Sequence, residues 1–248
     1  MITLPCLDNG VPFPAACQAL KEPDGLLAFG GDLSTTRLLQ AYRLGIFPWY
    51  SSEQPVLWWS PSQRMVLQCA QFRISRNLVK LLKRIARDER QPDAQVVVTT
   101  DVAFEEVMRA CAAPRGTQSG TWITDEMIAA YTALHHLGYA HSIEVRVNGQ
   151  LMGGLYGICI GRMFYGESMF SHSSNTSKIA LAWLVRFLQK QDVAWIDCQQ
   201  DTPHLASMGA RPVPRAAFLR QVAQAVAQPG FDWPAGQLLA DGIIVHPM

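Results

Sequence analysis

The chain lacks the features that would tie it to a metal, a disulfide framework or a membrane. Its six cysteines (Cys6, Cys17, Cys69, Cys111, Cys159 and Cys198) are scattered with no Cys-x-x-Cys pair, which argues against both a disulfide scaffold and a zinc site. His135, His136 and His141 fall at a helix end and a strand start with no second ligand cluster nearby, so no metal is expected. Apolar runs such as Ile158-Cys159-Ile160 are far too short to cross a bilayer. The first residues have neither the basic start nor the long apolar run of a secretion signal, so a cytoplasmic location is expected. There are no repeats, no low-complexity stretches and no heptads, and a monomer is the expectation. Charge is scarce too, at 17% of residues with a net of +1, so net charge alone says nothing about nucleic acid.

Apolar residues are abundant at 49% of 248, enough for one large core or two smaller ones. The first 62 residues read as a small N-terminal α/β domain, dense in Pro, Gly and aromatics, with one helix from Ser34 to Tyr42 capped by Ser34. Trp49, Trp58 and Trp59 lie in a proline-bounded stretch that reads as irregular; it serves as core packing or as a stacking platform for bases. Residues 63–248 are more regular. Arg64 to Cys69 and Gln95 to Thr99 are β-rich, Asp101 and Thr124 are candidate helix caps, and Gly138 closes the second of those helices. His141 to Val147 alternates as a strand does, and Asn148-Gly149 signals a hairpin into a strand from Gln150 to Ile160. Then follow a strand from Met163, a helix from Ser177 to Gln189, a buried strand from Val193 to Gln199 and a helix from Arg215 to about Ala227. This order predicts an α+β fold with a mixed, mostly antiparallel sheet and packed helices, similar to the GNAT-type acyltransferase fold, an analogy of fold only.

One helix carries charge of a single sign. Arg76, Lys80, Lys83, Arg84 and Arg87 recur at helical spacing on one face, with Leu78, Leu82 and Ile85 on another. The face is either an ordinary solvated surface or a stripe of phosphate contacts along an RNA backbone. Two apolar strands carry acids. Glu167 stands in Gly166-Glu167-Ser168-Met169-Phe170, and Asp197 shares a strand face with Gln199 in Trp195-Ile196-Asp197-Cys198-Gln199. An acid there is costly to bury unless paired. The purely structural alternative is a surface hydrogen bond for Glu167, and a backbone amide or basic residue as partner for Asp197.

Several segments in order resemble the leucyl/phenylalanyl-tRNA–protein transferase family. They are Gly25 to Ser34, Ala41 through Trp49, Leu57 to Pro61, Gly120-Thr121-Trp122-Ile123, Ala130-Tyr131, Leu134 through Glu144, Gly153 to Gly157, Phe164 to Phe170, Ser177-Lys178, Ile196 to Gln199 and Gly209-Ala210. The sequence departs from the pattern at Arg146, at Thr176 in Asn175-Thr176-Ser177-Lys178, and in the tail after Phe231. The resemblance implies a cofactor-free aminoacyltransferase that moves Leu or Phe, and Met less well, from aminoacyl-tRNA to proteins beginning with Arg or Lys, marking them for degradation. It implies that Trp49 lies beside the terminal adenosine and that Leu155, Phe164, Gly166, Met169 and Ile196 line the aminoacyl pocket, with Trp122, Tyr131 and Ser168 in the same substrate-binding set. Residues 1–62 would then bring aromatics to the tRNA end, and 63–248 would carry the transfer.

Peptide-bond formation needs an aimed, neutral amine more than it needs a strong base. An α-amine with a pKa near 8 is about one-tenth neutral at pH 7, whereas positioning contributes up to about 7–11 kcal/mol. Gln199 can accept a hydrogen bond from the amine and aim it. Asp197 can orient Gln199, relay the proton through water or hold the cationic acceptor, and Glu167 is the second candidate for that cation. Two other classes fit less well. A coenzyme-A-dependent N-acetyltransferase wants a glycine-bearing phosphate loop, and His172 to Lys178 has no glycine. A non-catalytic adaptor for basic N-termini needs the two carboxylates but no RNA surface.

Overall fold

The computed structural model describes residues 4–8, 10–114 and 122–246. Gly120 and Thr121 of the resemblance therefore lie outside the described residues. The chain begins with β1 (Cys6–Leu7), β2 (Leu26–Gly30), α1 (Thr35–Arg43), β3 (Phe47–Pro48) and β4 (Leu57–Trp59), which make a four-stranded sheet in the order β1-β2-β4-β3 with α1 beside it. Ser34 caps α1 by accepting from the Arg37 amide. The tryptophan stretch is thus more regular than expected: Trp58 and Trp59 are on a strand, and Trp58 is fully buried with its indole N–H on the Gly30 carbonyl.

Next come β5 (Gln63–Gln68), α2 (Arg76–Asp88), β6 (Val96–Thr100), α3 (Phe104–Ala112), α4 (Asp125–His136), β7 (Ala140–Val147), β8 (Gln150–Ile160) and β9 (Met163–Ser171). They are followed by α5 (Thr176–Lys190), β10 (Trp195–Gln199), α6 (Pro203–Ser207), β11 (Arg211–Pro214), α7 (Arg215–Val226), β12 (Gly236–Leu238) and β13 (Ile244–Val245). The large sheet runs β11-β5-β10-β9-β8-β7-β6-β12-β13, antiparallel throughout except for the parallel β9–β10 pair. The expected succession of two helices, a three-stranded meander, a helix and a strand is present as α3, α4, β7 to β9, α5 and β10. Asn148 and Gly149 both take positive φ (50° and 81°), the backbone a two-residue hairpin turn requires. Thr124 caps α4 through the Met127 amide, and Gly138 ends it with a φ of 75°.

One expectation needs correction. Asp101 does not cap α3: it sits at φ 58°, the cap position is Ala103, and the Asp101 carboxylate instead accepts from the Ser142 amide and meets His141 Nδ1. The reason is the left-handed turn from β6 into α3, which points the side chain back at β7. The tail after Phe231, which departs from the family pattern, adds two strands: β12 pairs with Thr99 and Thr100 of β6, and β13 pairs with β12.

Each face of the large sheet is covered. One core joins it to α3, α4, α7 and the small sheet through Val107, Met127, Tyr131, Phe218, Tyr42 and Trp58. The other packs α2 and α5 on the opposite face through Leu78, Leu82, Ile85, Ile179 and Trp183. Burial of these aliphatic and aromatic side chains is the main stabilising term, at roughly 25 cal/mol per Å² of apolar surface removed from water. Packing leaves no slack at Gly157 on β8, where a Cβ would lie 2.2 Å from the Tyr165 carbonyl oxygen and 2.6 Å from the Phe164 ring. A Gly157→Ala variant is expected to lose about 1–3 kcal/mol by overpacking, read as a lower midpoint in urea unfolding.

Candidate active site

The site forms where the sheet comes apart. β9 and β10 pair only from Met163 and Trp195 to Tyr165 and Asp197. Beyond that ladder β9 continues to Ser171 while β10 stops at Gln199, and a cleft of about 390 Å³ opens between them. Trp49, Trp122, Glu167 and Gln199 line it, and Leu155, Phe164, Met169, Leu181, Leu184 and Ile196 give it an apolar floor. Because Trp49 comes from the small sheet and Leu181 and Leu184 from α5, the cleft runs through the gap from one covered face to the other.

Two bulges aim the polar residues. On β9, Tyr156 pairs with Ser168 and Gly157 with Gly166, leaving Glu167 as the extra residue. On β10, Asp197 pairs with Val66 and Gln199 with Met65, leaving Cys198 as the extra residue. A bulge frees backbone groups and turns a side chain off the regular alternation. Here Gln199 takes φ 59°, a left-handed conformation uncommon for a residue with a side chain, and its freed N–H donates to Asp197 Oδ1 at 2.8 Å.

Asp197 is itself sealed. It accepts from Arg64 Nε at 2.8 Å and from Arg64 Nη2 at 2.7 Å, and both side chains are essentially without solvent contact. The Arg64 guanidinium lies 4.5 Å from the Phe47 ring centroid and 4.7 Å from that of Phe218, and its Nη1 donates to the Gly45 carbonyl. Gly45 sits at φ 69°, a left-handed conformation that favours glycine. Asp197 therefore has both kinds of partner expected from the sequence, a basic residue and a backbone amide.

Glu167 holds the other end. Its Oε1 accepts from the Tyr42 hydroxyl at 2.7 Å and from Gln199 Nε2 at 2.8 Å, and its Oε2 accepts from the Tyr131 hydroxyl at 3.2 Å. The two tyrosine hydroxyls also lie within hydrogen-bond distance of each other, so their two protons are shared among these three contacts. Burial pushes the Glu167 carboxyl up to about 7, against the opposing effect of its hydrogen bonds, with the Asp197 charge adding to the rise. Burial and then the Glu167 charge push Tyr42 and Tyr131 well up, so both remain protonated donors. With Nε2 committed to Glu167, Gln199 Oε1 accepts no hydrogen bond among the described residues and is left as an acceptor in the cleft wall. Cys198 also lines the cleft, but burial and then the Asp197 charge raise its thiol, which stays protonated and is a poor nucleophile.

Of the residues picked out from the sequence, Trp49, Trp122, Leu155, Phe164, Gly166, Glu167, Ser168, Met169, Ile196 and Gln199 all line the cleft. Tyr131 stands one layer behind, fully buried against Glu167. Asp197 is likewise behind the wall. Arg76, Lys80, Lys83, Arg84 and Arg87 are exposed along α2, while Leu78, Leu82 and Ile85 are buried. The loop into α2 is tied to the cleft's rim, because the Arg73 amide donates to Met208 at the end of α6, whose Thr202, His204 and Leu205 line the cleft. Sequence reasoning missed Arg64, Leu181, Leu184 and α6. Arg64 did leave a signal, because an arginine heading the apolar run Met65-Val66-Leu67 asks for a carboxylate as Asp197 asks for a cation. Among the described residues no His, Cys, Asp and Glu side chains gather as metal ligands would.

Two family models match the chain: leucyl/phenylalanyl-tRNA protein transferase over residues 66–223, and the N-terminal domain of that transferase over 31–62. Curated relatives carry the same description. One from Bordetella avium (strain 197N) is 57% identical over 242 residues, covering 98% of this chain and 97% of its own. Another from Bordetella bronchiseptica is 55% identical over 245 residues, covering 99% and 96%. Among solved structures, a GCN5-related N-acetyltransferase from Kribbella flavida overlaps 70% of this chain and 59% of its own at 10% identity, with a TM-score of 0.33, too slight a likeness to argue from.

Removing one member of a dry ion pair strands the other. Arg64→Met is expected to cost about 3–5 kcal/mol of unfolding free energy, measured by urea denaturation.

Proposed function

This chain belongs to the leucyl/phenylalanyl-tRNA–protein transferase family, and on that premise we propose that its donors are leucyl- and phenylalanyl-tRNA, with methionyl-tRNA poorer, and its acceptors proteins beginning with Arg or Lys. The family's reaction, transfer of an aminoacyl group from tRNA to protein, is what the chain catalyses. The product marks the acceptor for degradation, and the enzyme works as a cytoplasmic monomer; no described helix is long and apolar enough to cross a membrane.

The observation that carries this reading is Gln199 Oε1, held as a free acceptor between two fixed points beside an apolar floor. The donor's side chain fills the floor of Leu155, Phe164, Met169, Leu181, Leu184 and Ile196, with the terminal adenosine against Trp49. Residues 1–62 act as the module that offers Trp49, and 63–248 as the module that performs transfer. Gln199 accepts a hydrogen bond from the acceptor's α-amine and aims its lone pair at the ester carbonyl. The C–N bond forms, the ester C–O bond breaks, and the amine's proton leaves with the terminal ribose oxygen. Asp197 acts through Gln199 as a positioning residue, while Glu167 anchors the glutamine amide and supplies negative charge toward the acceptor. The face of Arg76, Lys80, Lys83, Arg84 and Arg87 holds the tRNA backbone by charge and shape, without reading bases. A pocket of this kind grades its substrates, since a methylene-sized difference is worth about 1–3 kcal/mol.

Transfer of leucine from leucyl-tRNA to an Arg-initiated peptide is the direct test. We expect transfer that valyl-tRNA does not match and that a Gln199→Glu variant does not exceed; a faster Gln199→Glu enzyme would mean that Gln199 does not act by positioning.

Acidity gives a second test. The ionised Glu167 accepts from Gln199, whereas the protonated form offers a competing donor, so the active form is gained as pH rises through about 7. Below that pH the acceptor amine also loses its neutral fraction, with a pKa near 8. The logarithm of the parent's rate should therefore fall with a slope near two, and that of Glu167→Gln with a slope near one. Equal slopes would remove Glu167 from the account.

A further inference from the structure

The floor of the cleft rests on a residue far along the chain. Phe164 is 1% exposed, and its ring is in contact with Trp233, which lies over His141 of β7, the cross-strand partner of Gly157, at 6.0 Å between centroids and 28° between planes. Trp233 is partly buried and held by several partners. Its ring stacks on His141 at 4.0 Å and 6°, and meets Phe187 at 4.6 Å and Phe231 at 5.8 Å. Its indole N–H donates to Thr100 Oγ1 at 2.7 Å, and that hydroxyl donates on to the Ser142 carbonyl at 2.7 Å. The bed beneath is equally fixed, because His141 Nδ1 meets Asp101 Oδ2 at 2.6 Å. β12 begins three residues later and pairs with Thr99 and Thr100, so the tail is held in register where the indole needs its acceptor. The matched family segments end at residue 223 and assign nothing to this tail.

We propose that Trp233 sets the depth of the aminoacyl pocket by fixing the Phe164 ring, and so is a positioning residue for the choice between donors. The proposal rests on reading the cleft as the pocket for the donor's side chain. Gly157 of β8 already sits against the Phe164 ring, and Trp233 packs against that ring from over β7. Shortening Trp233 lets the ring move back and deepens the floor, which favours the longer phenylalanine over leucine.

The test compares kcat/KM for phenylalanyl- and leucyl-tRNA, with one Arg-initiated peptide as acceptor, in the full-length parent, Trp233→Ala, Trp233→Phe and Leu181→Ala. Leu181 lines the cleft directly and reports on the cleft reading itself. In Trp233→Ala the phenylalanine-to-leucine ratio should rise about fivefold or more, as a methylene-scale change in pocket size does, and Trp233→Phe should restore it to within about twofold. A folded Trp233→Ala enzyme that loses both donors equally, while Leu181→Ala shifts the ratio, overturns the proposal and leaves the cleft reading intact. No shift in either variant removes the cleft reading and the proposal with it. If Trp233→Ala does not fold, Thr100→Val, which deletes the acceptor of the indole N–H, reads the same ratio, and an unchanged ratio there also overturns the proposal.

Discussion

The buried pair of Arg64 and Asp197 is the interaction on which the rest of the site depends. Taking two charges out of water costs several kcal/mol per ion, so such a pair persists only where geometry is tight and every polar atom is used. Both conditions hold. The guanidinium is bidentate to the carboxylate, roofed by Phe47 and Phe218 and bonded to Gly45, so it clamps the small sheet, α7, β5 and β10 together. The carboxylate has a third partner, the Gln199 N–H, and that bond makes a left-handed glutamine affordable at the end of a strand. Stability alone does not explain the pair, because apolar side chains often replace buried ions without loss. What apolar side chains would not supply is an acceptor at the bulge.

From that clamp the chemistry follows by geometry. Neighbouring parallel strands that stop pairing leave a gap, and bulges on both turn Glu167 and Gln199 toward it from either side. Glu167 takes the glutamine's amide nitrogen and Asp197 takes its backbone N–H, which leaves the side-chain oxygen as the acceptor that the proposed mechanism uses to aim the amine. Nothing in the arrangement resembles a strong base, and peptide-bond formation from an activated ester does not need one. It needs two reactants held at near-attack distance, and pre-organisation supplies that more cheaply than proton abstraction does. The apolar floor adds selection by size, and its stiffness comes from the packing of Gly157 and Trp233 against Phe164.

Much of this was legible in the sequence because it rests on local rules. Ser34 and Thr124 cap helices as such residues do, Asn148-Gly149 turns a hairpin, and the spacing from Arg76 to Arg87 divides α2 into charged and buried faces. The acids stood out because strands this apolar seldom carry them. What was not legible depends on partners distant in sequence. A bulge is defined by the register of the neighbouring strand, so alternation within Trp195 to Gln199 gives no hint that Cys198 is the extra residue. Arg64 and Asp197 are 133 residues apart, and each sequence segment shows only half of the pair. Asp101 looked like a cap because the sequence does not show its left-handed turn, and the tail after Phe231 is too short in each strand to display a period.

In the proposed mechanism the ion pair contributes to transfer by holding Gln199, beyond what it contributes to the fold. The most direct measurement is single-turnover leucyl transfer by the charge-free double variant Arg64→Met with Asp197→Leu, alongside its unfolding free energy and leucyl-tRNA affinity. Removing both charges together should leave folding and tRNA binding close to the parent's, while transfer falls by about a hundredfold or more, the scale of a misplacement near 1 Å. A double variant that folds, binds leucyl-tRNA and transfers leucine at the parent's rate would contradict the account.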